Sequence, residues 1–115
     1  MRTAPLLITL AVASLSSAAL AQPIPATRPV GGEALFKARC AICHEGSGPG
    51  VLTLAKRLGK DKSLIADRAD LEPAYVKFVV RHGLRAMPPL GRIEITDAEL
   101  DEIAAYVTRH HAAAP

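Results

Sequence analysis

The sequence predicts an all-α domain, built from short helices that are joined by loops rich in glycine and proline. Apolar residues recur at helical spacing in four segments, and no segment alternates apolar and polar residues as a strand does. The chain has 115 residues, which is the size of one small domain. It contains two Phe, two Tyr and no Trp. Aromatic side chains normally supply much of a small core's buried area, so we expect another group to fill the centre.

The first 21 residues have the pattern of a secretory signal peptide. Arg2 gives a positive start, residues 6–15 are apolar, and Ala19 and Ala21 flank Leu20 as small residues do at cleavage sites. The alternative is an uncleaved membrane anchor, but the apolar run is shorter than a bilayer span. We therefore predict cleavage after Ala21, export to the periplasm, and no membrane span in the mature chain.

Residues 22–30 are predicted to form an extended leader, because they contain three prolines. The folded domain is expected over residues 31–111, with a frayed tail at residues 112–115. The formal net charge is +3. Blocks of Lys and Arg with interleaved aromatic residues are lacking, so the sequence gives little support for nucleic-acid binding.

Two helices are predicted in the first half of the domain. The first covers residues 32–39, with Gly32, Leu35 and Phe36 on one face. Residues 45–50 follow as a loop rich in glycine. The second helix ends at Gly59, and its apolar face consists of Val51, Leu54, Ala55 and Leu58. Residues 60–70 are polar and are expected to be irregular.

Two more helices are predicted in the second half. The third begins at Pro73, which suits a first helical turn, and ends at Gly83. Its predicted buried face consists of Val76, Val79 and Val80. Residues 84–95 form a loop, after which Thr96 and Glu99 have the spacing of a capping box. The last helix is predicted to bury Leu100, Ile103, Ala104 and Val107.

Cys40, Cys43 and His44 form a heme-attachment motif, with two residues between the cysteines and the histidine directly after the second. Two thiols at this spacing can each add to one vinyl group on the same edge of a porphyrin, which places the imidazole beneath the iron as an axial ligand. A disulfide between Cys40 and Cys43 would enclose only two residues and would therefore stabilise little.

Two other chemistries use a similar pair of cysteines. A thioredoxin-like thiol pair is expected beside a strand in a βαβ unit, and no strand is predicted here. A zinc site needs four ligands, whereas this motif supplies three at cramped spacing. We therefore favour covalent attachment of heme.

Met87 is the favoured second axial ligand. It lies in the predicted loop between two helices, where Pro88 and Pro89 keep the chain extended and non-helical. Methionine is a recurrent heme ligand in small cytochromes. The alternatives are three histidines, of which one is near the end of the third helix and two are near the C-terminus: His82, His110 and His111.

Over residues 31–109 the chain resembles the class I c-type cytochromes of the small, one-heme bacterial kind. The matching features are Gly32, Phe36, the motif at residues 40–44, residues 87–89 and Tyr106. The resemblance implies a cytochrome c-like fold around one covalent heme c with its iron, in which Gly32, Phe36 and Tyr106 meet where the first and last helices cross. It also implies a one-electron carrier rather than an enzyme. In this family a backbone carbonyl, often of a proline, bonds the heme-ligating histidine, and Pro49 is the nearest proline to His44.

Four stretches are similar to the cytochrome subunits of 4-cresol dehydrogenase and related flavocytochromes. They are residues 64–71, 76–83, 87–89 and 95–100. The resemblance implies a redox partner that is a periplasmic flavoprotein dehydrogenase acting on phenolic compounds, with transfer onward to an acceptor of higher potential. The positive residues Arg39, Arg81 and Arg85 are near the predicted ligands in sequence and are candidates for a docking patch.

Two functions of other classes remain as alternatives. If Met87 does not ligate the iron, the protein is a heme enzyme or gas sensor with an open sixth site. If no heme is attached, Cys40 and Cys43 form the pair of a thiol oxidoreductase.

Overall fold

The computed structural model describes residues 29–111. The predicted signal peptide at residues 1–21, nearly all of the predicted leader and the tail at residues 112–115 lie outside the described residues. Their boundaries therefore stay predictions.

The described chain consists of five α-helices and two short 3₁₀ helices. In chain order the α-helices are α1 (Gly32–Arg39), α2 (Ala41–His44), α3 (Pro49–Leu58), α4 (Pro73–His82) and α5 (Asp97–Val107). The 3₁₀ helices, Lys60–Lys62 and Ile65–Asp67, lie between α3 and α4. Residues 29–111 contain no named strand, only an isolated antiparallel bridge between Leu84 and Met87. The predicted all-α, cytochrome c-like fold is confirmed.

The core lies where α1 and α5 cross and α4 packs beside them. Phe36 of α1 is completely buried, and its ring centroid lies 5.5 Å from that of Tyr106 on α5. The four residues predicted to face inward from α5 are all buried: Leu100, Ile103, Ala104 and Val107. Gly32 lies against the backbone of Glu102 and the Cβ of Tyr106. The predicted meeting of Gly32, Phe36 and Tyr106 is therefore present.

The helix ends follow local signals in the sequence. Gly59 and Gly83 end α3 and α4 with φ angles of +95° and +74°, a conformation that glycine adopts without a steric cost. At the start of α5 the Thr96 hydroxyl accepts a hydrogen bond from the Glu99 amide at 3.3 Å, and the Glu99 carboxylate accepts one from the Thr96 amide at 2.8 Å. This is the predicted capping box.

Some predicted boundaries and faces differ from the structure. The loop after His44 is shorter than predicted, because α3 begins at Pro49 after the extended residue Gly48. Of the predicted inner face of α4, Val80 is buried, whereas Val76 and Val79 are half-buried. On α3 only Val51 is buried, and Leu58 is 44% exposed. No helix within residues 29–111 is long and apolar enough to cross a membrane.

Candidate functional site

Cys40, Cys43 and His44 lie in one tight helical turn directly after α1. The Cys40 amide donates to the Phe36 carbonyl at 2.8 Å, and the His44 amide donates to the Cys40 carbonyl at 3.0 Å. Cys40 and Cys43 are free thiols. Residues three apart in a helix lie on the same face, so the two thiols are offered on one side of α2, while Ile42 between them is 83% exposed.

Cys40 is half-buried and packs against the core formed by α1, α4 and α5. Burial raises the pKa of the Cys40 thiol to about 11, so the thiol is protonated at neutral pH. Thiols that act in disulfide exchange usually have lowered pKa values, because the thiolate is the nucleophile. Cys40 therefore does not have the lowered pKa that is typical of a nucleophilic thiol.

His44 is held between α2 and the start of α3. Its Nδ1 atom is buried and has no hydrogen-bond partner within the described residues, and burial lowers the pKa of the imidazole. A neutral imidazole is the form that binds a metal. The ring is therefore kept in a ligand-competent state by its surroundings, with Nδ1 turned into the protein.

Gly48 and Gly50 allow α3 to approach the motif closely. A Cβ on Gly48 would lie 2.7 Å from the carbonyl oxygens of Ile42 and Cys43. A Cβ on Gly50 would lie 2.6 Å from the Cys43 carbonyl oxygen and 3.0 Å from the His44 ring. Both glycines are thus contact residues of the site. Their sequence context predicts a loop, and this role was not predicted, although their position within six residues of His44 was a signal.

The Pro49 carbonyl does not bond to His44. Pro49 is the first residue of α3, and its carbonyl accepts a hydrogen bond from the Thr53 hydroxyl at 2.8 Å within that helix. The interpretation of Pro49 as the partner of the His44 ring is therefore wrong. The physical reason is that Pro49 lies in a helix and not in a loop. Its carbonyl accepts a hydrogen bond from a side chain of that same helix.

Met87 lies in the loop between α4 and α5, as predicted, and is half-buried against the core. Its amide donates to the Leu84 carbonyl at 3.0 Å, and its carbonyl accepts from the Leu84 amide at the same distance. A Cβ on Gly83 would lie 2.8 Å from the Met87 carbonyl oxygen and 2.9 Å from the Pro89 nitrogen. Cys40 and Met87, which are 47 residues apart in the numbering, thus pack against the same core cluster.

The alternative histidines have other contacts. His82 is exposed, stacks on Phe78 at a centroid distance of 4.3 Å and bonds the Phe78 carbonyl through Nδ1 at 2.9 Å. The Nδ1 atom of His111 bonds the Ala69 carbonyl at 3.1 Å. His110 is exposed beside it.

The site also fits a large apolar group, because many apolar side chains of α3, α4 and the loops are left uncovered. Those that are between 37% and 58% exposed are Leu52, Leu58, Leu64, Tyr75, Phe78 and Leu84. These elements therefore have apolar side chains available to cover a bound heme. Residues 29–111 hold no group of three or more His, Cys, Asp or Glu that could bind a metal ion. The residues present therefore fit a heme held by thioethers.

Arg81, one of the three arginines considered for a docking patch, forms hydrogen bonds within the protein instead. Arg81 is only 17% exposed, and its guanidinium bonds the Leu90 carbonyl, the Ile95 carbonyl and the Asp97 carboxylate. The interpretation of Arg81 as a surface charge is wrong, because its side chain lies along the loop that follows α4. Arg39 and Arg85 are exposed, as that interpretation requires.

Comparisons with known proteins agree with the site. Residues 28–107 match the protein family described as cytochrome C oxidase, cbb3-type, subunit III. Cytochrome c6 of Cyanidioschyzon merolae (strain NIES-3377 / 10D) is 38% identical over 76 residues, which are 66% of this chain and 68% of that protein. Cytochrome c6 of Aphanizomenon flos-aquae is 38% identical over 79 residues, which are 68% of this chain and 85% of that protein. No solved structure matches the chain.

The family match covers nearly all the described residues, and it agrees with the helical fold, the paired thiols and the buried imidazole. The chain therefore belongs to the family described as cytochrome C oxidase, cbb3-type, subunit III, and it is a class I c-type cytochrome: a one-heme electron-transfer protein, rather than an enzyme, with covalently bound heme c and its iron.

Proposed function

We propose that Cys40 and Cys43 attach the heme through thioether bonds and that His44 and Met87 are the axial ligands of its iron. The observation that carries the proposal is the turn at residues 40–44, which presents both thiols on one side and holds a neutral imidazole directly after them. Cys40 fastens the turn to the core at the end of α1. The attached group would therefore be tied to the most buried part of the domain.

His44 would bind iron through Nε2. Its Nδ1 atom is buried, and the position that a Cβ on Gly50 would take lies 3.1 Å from it, so this side of the ring is closed by backbone. Gly50 thus limits the orientation of the ring by close contact.

Met87 would complete the coordination from the loop between α4 and α5. The bound heme supplies a one-electron couple between ferric and ferrous iron. Ligands on both axial positions leave none for a substrate, which suits a carrier. Methionine as the second ligand raises the reduction potential relative to a second histidine.

We infer that the protein works in the periplasm after cleavage at Ala21. There it takes electrons from a dehydrogenase and passes them to an acceptor of higher potential. The periplasmic location rests on the signal-peptide pattern of residues 1–21. A flavoprotein that oxidises phenolic compounds is the proposed donor, and it rests on the resemblance of residues 64–100 to flavocytochrome subunits.

The electron-carrying role is tested by a redox titration of the purified protein, followed by its visible spectrum. One electron per chain, fully reversible, is the expected result. The donor is tested by co-expression with a candidate flavoprotein: a lasting complex makes the cytochrome a subunit, whereas stopped-flow reduction without a complex makes it a diffusible carrier. No reduction by any flavoprotein dehydrogenase would contradict the proposed donor.

Arg39 and Arg85 are proposed to steer an acidic partner, since both are exposed and neither forms an ion pair within residues 29–111. Exposed charges of one sign speed association at low salt. Reduction by the partner should therefore slow as ionic strength rises, and the variant Arg39→Gln with Arg85→Gln should lose most of this dependence. A rate that is indifferent to salt would remove the two arginines from the docking mechanism.

A further inference from the structure

Arg81 lies at the end of α4 and joins three acceptors from the chain that follows. Its Nη1 donates to the Leu90 carbonyl at 2.9 Å, and its Nη2 donates to the Ile95 carbonyl at 2.9 Å and to the Asp97 carboxylate at 2.8 Å. The planar guanidinium is suited to several fixed acceptors at once, which a lysine ammonium is not. One side chain thus fastens the loop of residues 84–95 at two points and the first residue of α5 at a third.

Directly after Met87, the loop has few backbone amides that can donate hydrogen bonds. Pro88 and Pro89 have no amide hydrogen to donate, so Leu90 is the first residue after Met87 with an amide to offer. The Leu90 amide donates to the Val80 carbonyl at 2.8 Å, and its carbonyl accepts from Arg81. Both backbone groups of Leu90 are therefore held by the last turn of α4, and Arg81 supplies one of the two bonds.

Pro88 and Pro89 couple the position of Leu90 to that of Met87. Their rings fix φ, so the three-residue step from Leu90 back to Met87 is stiff. On the other side, Met87 is bridged to Leu84 and packed against Gly83. A shift of Leu90 is therefore transmitted to Met87, whereas a shift in a flexible loop would be absorbed.

We propose that Arg81 is a positioning residue for the axial ligand, holding the loop of residues 84–95 so that the Met87 thioether stays on the iron. This inference rests on the proposed function, in which Met87 ligates. In this proposal Arg81 acts on Met87 through Leu90 and the two prolines.

The test compares three variants of the heme-loaded protein. Arg81→Met keeps the aliphatic stem and removes all three bonds, and Arg81→Lys keeps the charge but cannot reach both carbonyls. Lys77→Met is the matched control, because the Lys77 side chain joins α4 to α5 by a 2.9 Å ion pair with Asp101 and forms no hydrogen bond to the loop. The readouts are the weak far-red absorption band of sulfur–iron coordination and the affinity for added imidazole, which competes with Met87 for the iron.

Arg81→Met should bind imidazole at least about tenfold more tightly than the unmodified protein and should lose its far-red band on heating before its helices melt. Arg81→Lys should shift in the same direction, and Lys77→Met should match the unmodified protein. Equal imidazole affinity in all four proteins, with the band present, would overturn the role of Arg81 while leaving Met87 as ligand. A missing band in the unmodified protein would overturn the ligation by Met87 and, with it, this inference.

Discussion

Gly32 of α1 lies directly against the backbone carbonyl of Glu102 on α5, where the two helices cross. A Cβ at this position would collide with that carbonyl and would come within 2.8 Å of the Tyr106 Cβ. Glycine at residue 32 is thus required by the close approach of two backbones. The contact lets Phe36, one turn later, reach the ring of Tyr106.

Gly32→Val should lower the free energy of unfolding by more than about 1 kcal/mol, because overpacking a tight contact typically costs 1–3 kcal/mol. Chemical denaturation followed by far-UV circular dichroism measures the change. Ala34→Val is the control, since Ala34 is exposed on the same helix and should lose only the small helix preference of alanine. Equal stability of Gly32→Val and the unmodified protein would contradict the crossing.

Met87→Ala should abolish the far-red band of the oxidised protein and allow carbon monoxide to bind the reduced protein. The physical reason is the loss of the proposed sulfur ligand from the loop between α4 and α5. His82→Ala is the control and should keep the band, because His82 is exposed and bonds only its own helix. A band that survives in Met87→Ala would exclude Met87 as ligand. Carbon monoxide binding to the unmodified protein would instead support an open sixth site.

Asp70 should make the stability depend on acid pH. Hydrogen bonds from Arg68 at 2.7 Å and 2.9 Å, and then one from Lys62 at 3.1 Å, hold the pKa of the Asp70 carboxyl well below its usual value of 3.8. A carboxylate whose pKa is lower in the folded state stabilises the fold above the unfolded pKa, and this contribution is lost as the pH falls. Because the group is exposed, we expect about 1 kcal/mol or less.

Asp70→Asn should therefore reduce the melting temperature more at pH 7 than at pH 3. Thermal melts of the heme-loaded protein at the two pH values give the difference. Asp61→Asn, an exposed neighbour, should show little change at either pH. If Asp70→Asn lowers the melting temperature equally at both pH values, the proposed contribution of the Asp70 ion pairs to stability is contradicted.

Much of the fold could be predicted because its signals are local. The helix over Gly32–Arg39 and the capping box at Thr96 depend on residues within one or two turns, and both are present as predicted. The crossing at Gly32 came from the family resemblance. The start of α3 was missed because glycine on both sides of Pro49 indicates a loop, whereas proline also suits a first helical turn.

The site was less predictable where a role depends on distant contacts. The motif at residues 40–44 is readable because its chemistry lies within five consecutive residues. Arg81 has no such signal: its acceptors at Leu90, Ile95 and Asp97 are 9 to 16 residues away. The contact between Gly50 and the His44 ring also depends on how α3 returns to the motif, and residue spacing does not give that geometry.

The most direct test of the account is the mass of the denatured protein after extraction with acidified organic solvent. Thioether bonds at Cys40 and Cys43 withstand this treatment, so the chain should keep the mass of one heme, and fragments that contain residues 40–44 should carry it. The double variant Cys40→Ala with Cys43→Ala should keep none. Heme that passes entirely into the solvent and leaves the unmodified chain at its polypeptide mass would contradict the covalent attachment on which the proposed function rests.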